Sequence, residues 1–169
     1  HFHRRQRQAG DQRGEDLREL RMTMTDLLNS LYTEHLEEIS FLYERWLAMM
    51  AAGWDPRDFK EMEDRLEAHI DALVEDDLAL GVCEQRAEEG DFGECYGACR
   101  VFLRRSHDKG LERLIASLNE TDLKKIKGIS DAICHEPGPD TDRWLEGGFY
   151  QSFLDKTNNT HVDPKGAMP

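Results

Sequence analysis

Mostly apolar side chains recur at alternating steps of four and three residues between positions 28 and 49. The series is Leu28, Tyr32, His35, Ile39, Leu42, Trp46 and Met49. Because an α-helix turns once every 3.6 residues, this spacing predicts an amphipathic helix of about seven turns. Gly53 favours the end of that helix, and Asp55 followed by Pro56 is typical of the start of the next.

The second helix repeats the same steps. Its apolar positions are Phe59, Met62, Leu66, Ile70 and Leu73. Two long helices joined by a short loop are expected to pack as an antiparallel hairpin, which we assign to residues 24–79. The acidic run from Glu75 to Asp77 opposes the negative end of the helix dipole, so we expect the helix to bend or restart there.

Beyond residue 80 the predicted helices become shorter. Their start signals are Asp91, Asp108, Asn119 and Asp140. Every second start is separated by about 30 residues, which predicts stacked helix pairs over residues 80–155, an α-α superhelix. Because no stretch alternates apolar and polar side chains as a strand would, the predicted fold class is all-α.

Two further details of the shorter helices follow from single residues. Gly93 and Gly97 lie one helical turn apart and leave a patch without side chains. Since glycine inside a helix costs about 1 kcal/mol relative to alanine, we expect this patch to serve the close approach of a neighbouring helix. The last predicted helix has an apolar face made of Leu145, Phe149, Phe153 and Leu154.

Both ends of the chain are predicted to lie outside a single helical domain, residues 24–155. Residues 1–23 include six arginines and few apolar side chains, which is typical of a disordered basic tail. Met22 or Met24, at the end of that segment, is the expected natural start. Residues 156–169 are predicted to form a C-terminal tail. We find no membrane-spanning or secretion-signal segment and expect a cytoplasmic protein without a membrane partner.

The charge balance narrows the choice of partner. The chain has 22 Lys and Arg against 35 Asp and Glu, a formal net charge of −13. This excess disfavours binding to nucleic acid and favours a protein with a basic surface, which it would attract from a distance. The cysteines lack any C-x-x-C spacing and are expected to be free and mostly buried, namely Cys83, Cys95, Cys99 and Cys134.

Parts of the chain resemble a family of bacterial HEAT-repeat proteins whose genes often lie near those of type VI secretion. The resemblance rests on the segments 34–43 and 62–73, above all on the Arg-Leu-Glu-Ala-His core at 65–69, and on Gly93 to Ala98 and Asp142 to Leu145 downstream. It implies that the pairs in 80–155 are HEAT-like and that the protein binds other proteins. Family members usually continue into many more repeats, and their Ala- and Leu-rich helices are replaced here by the lysine-rich segment 124–127.

Candidate chemistry is sparse. No phosphate-binding loop, nucleophile elbow or H-E-x-x-H motif occurs, so we expect neither an enzyme nor a cofactor. One open alternative is a metalloenzyme using His35, Glu38 and His69, whose histidines could meet across an antiparallel hairpin. A second alternative is a metal site at Cys95, Cys99 and His107. His135 falls at a predicted helix end, where an imidazolium would complement the dipole.

The sequence therefore predicts a non-enzymatic helical-repeat module that binds another protein. An adaptor associated with type VI secretion or an immunity-type protein is the role implied by the resemblance. The candidate contact residues are Glu37, Glu38, Trp54, Glu67 and Asp71. The alternative of a different class is a self-associating bundle, possible as a homodimer through the edge formed by Trp46, Met49 and Met50 together with the Gly93 and Gly97 patch.

Overall fold

The computed structural model describes residues 2–119, 121–136 and 139–146, together with residues 151 and 155. Within this part the chain forms α-helices, one 3-10 turn and no strand. The elements are α1 (Phe2–Ala51), the 3-10 turn (Pro56–Phe59), α2 (Lys60–Val74), α3 (Asp77–Glu89), α4 (Phe92–Arg104), α5 (Asp108–Ser117), α6 (Leu123–His135) and α7 (Pro139–Glu146). The all-α fold class is confirmed.

Helix α1 begins far earlier than the apolar pattern predicts. It runs for 50 residues and includes residues 2–23, which the sequence assigned to a disordered tail. Arginine, glutamine, glutamate and leucine favour the helix, and extending an existing helix costs much less than nucleating one. The side chains from Gly14 to Met24 are nevertheless exposed, and burial begins only at Leu28 and Tyr32.

Helix α2 runs alongside the second half of α1. Trp46 lies against Phe59, just before α2, and His35 lies against His69, so α1 and α2 run in opposite directions. The second helix is only 15 residues long. It ends at Val74, and Asp76 caps α3 by accepting a hydrogen bond from the backbone N–H of Leu78 at 2.8 Å. The acidic run therefore marks a helix restart, and residues 77–79 belong to α3.

Helix α4 occupies the centre of the molecule. Every residue from Gly93 to Leu103 is buried, and α4 contacts α1, α2, α3, α5, α6 and α7. In a row of stacked helix pairs, a helix contacts only its own pair and the adjacent ones. The described helices instead surround α4 as a bundle, which differs from the predicted superhelix.

The two glycines of α4 face α1 at very short range. A Cβ atom on Gly93 would lie 2.4 Å from Oγ and 2.6 Å from Cα of Ser40, and one on Gly97 would lie 2.8 Å from Cγ2 of Ile39. Only hydrogen atoms fit at these points. The predicted close approach of a neighbouring helix is confirmed, and α1 is that helix.

Local start signals are correct for some helices and displaced for others. Asp91 and Glu94 form the predicted capping box of α4. The pair Asn119 and Asp122 precedes α6 as predicted: Asp122 is the cap and accepts from the backbone N–H of Lys125 at 3.1 Å, and Asn119 accepts from the backbone N–H of Thr121 at 3.0 Å. Leu145 packs against the core. The other predicted face residues of the last helix, and residues 156–169, lie outside the described residues.

Candidate functional site

A cleft with a volume of about 330 Å³ opens between α1, α2, α4 and the end of α6. It is lined by Tyr43, Trp46, Glu63, Asp64, Leu66, Glu67, Tyr96, Arg100 and His135. Most lining residues within one helix are three or four positions apart, which places them on the same helix face. The cleft therefore exists because four helices present one polar or aromatic face each to a common point.

Aromatic rings form one wall of the cleft. Tyr43 and Tyr96 stack with ring centroids 4.0 Å apart and an angle of 3° between the rings. Trp46 meets the His135 ring edge to face at 5.3 Å and also contacts Phe59. Both tyrosines are buried, whereas Trp46 is partly exposed. The indole is thus the aromatic group that a ligand in the cleft would reach first.

The floor of the cleft is an arginine that is almost fully buried. Arg100 is 3% exposed, and its Nε donates to Oε1 of Glu136 at 2.6 Å. Its Nη2 lies 2.7 Å from Oε1 of Glu67, and its Nη1 donates to the hydroxyl of Tyr96 at 3.0 Å. A buried guanidinium requires such partners, because its desolvation would otherwise be very costly.

A second arginine extends this arrangement into an ion cluster. Arg104 donates from Nε to Oε1 of Glu136 at 2.8 Å and from Nη1 to Oδ1 of Asp71 at 2.6 Å, and it also pairs with Glu67. Burial raises the pKa of Glu67, but the hydrogen bonds and charges of Arg104 and Arg100 outweigh it and leave that pKa below its usual value. The cluster joins α2 and α4 to the residue after α6.

His135 and Tyr96 add uncharged polar groups to the same place. Nδ1 of His135 lies 2.9 Å from the Tyr96 hydroxyl, which already accepts from Arg100 and so donates to the imidazole. Burial, reinforced by the charge of Arg100, lowers the pKa of His135, and burial raises the pKa of Tyr96 to about 12. The lowered pKa favours the neutral imidazole at this helix end, where the sequence suggested an imidazolium.

The rim of the cleft is acidic. Glu63 accepts a hydrogen bond from Nε1 of Trp46 at 3.3 Å and forms no ion pair with any residue that the structure describes. Asp64 pairs with Lys60 at 2.8 Å, one turn earlier on the exposed side of α2. Glu63 thus offers a carboxylate beside an indole at the mouth of the cleft.

Two predicted contact residues are already engaged within the molecule. Glu67 and Asp71 belong to the ion cluster with Arg100 and Arg104. Their carboxylates neutralise internal arginines, so they are not free acidic groups for a basic partner. The Asp71 side chain nevertheless remains 65% exposed, and a role of both residues in partner binding stays a prediction.

The other predicted contact residues lie on the surface. Glu37 is 59% exposed and 3.9 Å from Nη2 of Arg86, and Glu38 is 48% exposed and 3.7 Å from Nη2 of Arg65. Pairs at these distances are weak. Trp54 is 53% exposed and lines a shallow depression of about 190 Å³ with Met49. These three residues are accessible to a partner.

His35 and His69 meet as the sequence predicted. Their Nδ1 atoms are 2.8 Å apart, which requires one ring to donate and the other to accept. Glu38, the third member of the metal hypothesis, lies near Arg65 instead. Across the part of the chain that the structure describes, no group of three or more His, Cys, Asp or Glu could hold a metal ion.

The cysteines do not assemble into a site. Cys83, Cys95 and Cys99 are buried, Cys134 is exposed, and all four are free. Burial raises the pKa of Cys83 to about 12 and that of Cys95 to about 11, so these thiols are protonated at neutral pH. His107, proposed to join Cys95 and Cys99, instead places Nε2 2.7 Å from Glu84.

The surface proposed for self-association is partly covered by other helices of the same molecule. The Gly93 and Gly97 patch is covered by α1 and is not available to a second molecule. Trp46 and Met49 are partly buried against the core, and Met50 is 53% exposed. Only a narrow part of that edge faces solvent.

Sequence reasoning missed most of the cleft. Glu63, Tyr96, Arg100 and Glu136 were not candidates, although Arg100 carried a usable signal. It stands between Cys99 and Val101 in the most apolar helix, where an arginine must find a carboxylate. Which carboxylate it finds depends on helices far away in the chain.

Comparisons with known proteins supply no further assignment. No protein-family model, no curated protein and no solved structure matches this chain. Among the described residues, no helix is both long enough and apolar enough to span a bilayer.

Proposed function

We propose that this protein is a non-enzymatic protein-binding module that receives a basic segment of a partner protein at the cleft and along α2. The observation that carries the proposal is Glu63, a carboxylate at the cleft mouth beside the partly exposed indole of Trp46. A lysine or arginine side chain satisfies both groups at once, because it pairs with the carboxylate and lies against the ring.

The charge distribution supports the same partner chemistry. Residues 55–77 contain ten acidic and three basic residues, a net charge of −7 within a chain whose total is −13. Arg100, Arg104 and Arg105 pair with Glu67, Asp71 and Asp77 of this segment and cancel three of these charges, which leaves a net charge of −4 next to the cleft. A field of this kind speeds the approach of a basic partner and orients it on this face.

The role of Glu37, Glu38 and Trp54 in the proposal is secondary. They lie on exposed parts of α1 and of the loop before α2 and could contact a partner that extends beyond the cleft. A type VI secretion component or a toxin as that partner is proposed on the family resemblance alone.

A peptide of four arginines, blocked at both ends, tests the proposal directly. We expect it to shift the indole N–H signal of Trp46 in an NMR titration at physiological salt. The variant Glu63→Gln should weaken binding about tenfold, the effect of losing one hydrogen bond to a charged group.

The matched control is Glu112→Gln, which removes one negative charge from an exposed position on α5 that does not line the cleft. It should leave the affinity almost unchanged. Equal weakening by both substitutions would mean that the peptide responds to net charge alone, and the cleft would then have no role. The same pair of variants used as baits separates partners held by the cleft from other captured proteins.

A further inference from the structure

The N-terminal part of α1 carries an apolar stripe that nothing in the described structure covers. From Gly14 to Leu27 every side chain is exposed except that of Thr25, which is partly exposed. The large apolar side chains of the stripe are Leu17 at 68%, Leu20 at 66%, Met24 at 56%, Leu27 at 65% and Leu31 at 44% exposure. Exposed apolar surface of this extent is typical of an interaction site.

The spacing of the stripe defines its geometry. Its members follow one another at steps of three, four, three and four residues, which are the a and d positions of a heptad repeat. The first exposed half of α1 therefore presents a coiled-coil seam. Further along the chain, α1 turns a different face, beginning at Leu28 and Tyr32, towards the core.

The charges beside the seam indicate which helix would cover it. In this heptad register Asp16 occupies position g and Arg21 occupies position e of the next heptad. In a parallel dimer, g of one helix lies beside the following e of its partner, so two copies would form the pair twice. An antiparallel dimer would place these residues beside uncharged ones, Ser30 and Leu28.

We propose that two copies of this chain associate through a parallel coiled coil formed by Leu17, Leu20, Met24, Leu27 and Leu31. The pairs between Asp16 and Arg21 of the two copies set the parallel register. Each helix is already formed and joined to a folded body, so dimerisation does not bear the cost of helix nucleation. The surface is independent of the cleft, and failure of either proposal leaves the other standing.

Light scattering over a dilution series from about 1 µM to about 1 mM tests the proposal, because a short seam binds weakly. The chain should change from one copy, 19.6 kDa, to twice that mass. The double variant L20D/L27D should remain at one copy throughout. The control is Met22→Asp, at an equally exposed position off the seam, 68% exposed, which should still dimerise.

The register is tested by exchanging charges. D16R and R21D should each fail to dimerise alone, because each puts like charges together at the seam. An equimolar mixture of the two should restore the dimer, since every pair is then attractive. The proposal is overturned by a wild-type mass that stays at one copy, by an L20D/L27D dimer, or by a mixture that stays at one copy.

Discussion

Arg100 shows how much of the structure depends on one polar side chain. It lies in the central helix, and its guanidinium binds carboxylates from α2 and from the residue after α6 together with a tyrosine hydroxyl. Replacing a whole buried ion cluster by apolar groups can be neutral, whereas removing one charged member is destabilising because its partners stay buried. Substitution of Arg100 therefore tests whether α2, α4 and the end of α6 pack together as described.

The first prediction concerns this arginine. Arg100→Met should lower the free energy of unfolding by about 1–3 kcal/mol, because Glu136 and Glu67 would each lose one of two arginine partners and the Tyr96 hydroxyl would lose its donor. Urea unfolding measures the change. The control is Arg113→Met, which also loses two carboxylates, Glu84 and Glu88, but at a solvent-exposed position where ion pairs stabilise little. Equal losses in the two variants would contradict the importance assigned to burial.

Glu63 and Glu67 show that the role of an acidic residue depends on its tertiary contacts. Glu67 and Glu63 are four residues apart on α2, and the sequence offers no local reason to distinguish them. Tertiary contacts bring arginines to Glu67, whereas Glu63 meets an indole. Packing therefore makes Glu63 the open carboxylate, whereas the sequence had suggested Glu67.

At the scale of elements, α1 and α4 approach each other closely at two glycines of α4. The glycine pair of α4 brings its backbone against Ser40 and Ile39 of α1. The same approach brings Oγ of Ser40 within 2.8 Å of Oδ1 of Asp91, the residue that caps α4. The start of the central helix is thus held by its own cap and by α1.

The second prediction follows from this close approach of α1 and α4. Gly93→Ala should lower the free energy of unfolding by about 1–3 kcal/mol, because the added methyl group would overlap the backbone of Ser40 and force the helices apart. Gly81→Ala is the control, since nothing lies within 4 Å of the position that its Cβ would occupy. It should raise stability by about 0.5–1 kcal/mol through helix propensity. Thermal or urea unfolding measures both changes. A higher free energy of unfolding for Gly93→Ala as well as for Gly81→Ala would contradict the close approach of α1 and α4.

At the scale of the whole molecule, stability should depend on pH through its histidines. Burial lowers the pKa of His69, helped by the neighbouring His35, and lowers the pKa of His135. Above about pH 6.5, the pKa of an unfolded histidine, both states are neutral and the stability is fully present. Below it the unfolded chain binds protons that the folded chain resists.

The third prediction is that the free energy of unfolding falls as the pH is lowered from 7.5 to 5.5. Glu67 and other carboxylates with lowered pKa values lose their contribution only in more acidic solution, so this window reports the histidines. The double variant H69Q/H135Q should show a much flatter dependence over the same range. A wild-type stability that is constant or rises between these pH values would be incompatible with the buried neutral histidines.

The predicted organisation and the observed one differ most in how helices are arranged. Periodicity indicated the helices over 28–50 and 59–73 and the capping box at Asp91, because these signals act within one or two turns. The regular spacing of later start signals favoured stacked pairs. It could not reveal that α4 would be enclosed by six other helices, since enclosure depends on how the faces of distant segments fit.

What the sequence alone determined is mainly local, namely the all-α class and the helix restart after Glu75. Two contacts between helices also followed from it, because an antiparallel hairpin aligns His35 with His69 and a pair of helical glycines favours a close neighbour. What only the tertiary structure decided is which charged groups remain open. Arg100 and Glu136 are 36 positions apart, and they pair because α4 and α6 pack together. Helix signals act between neighbours in the chain, whereas burial and ion pairing depend on which distant side chains share a space without water.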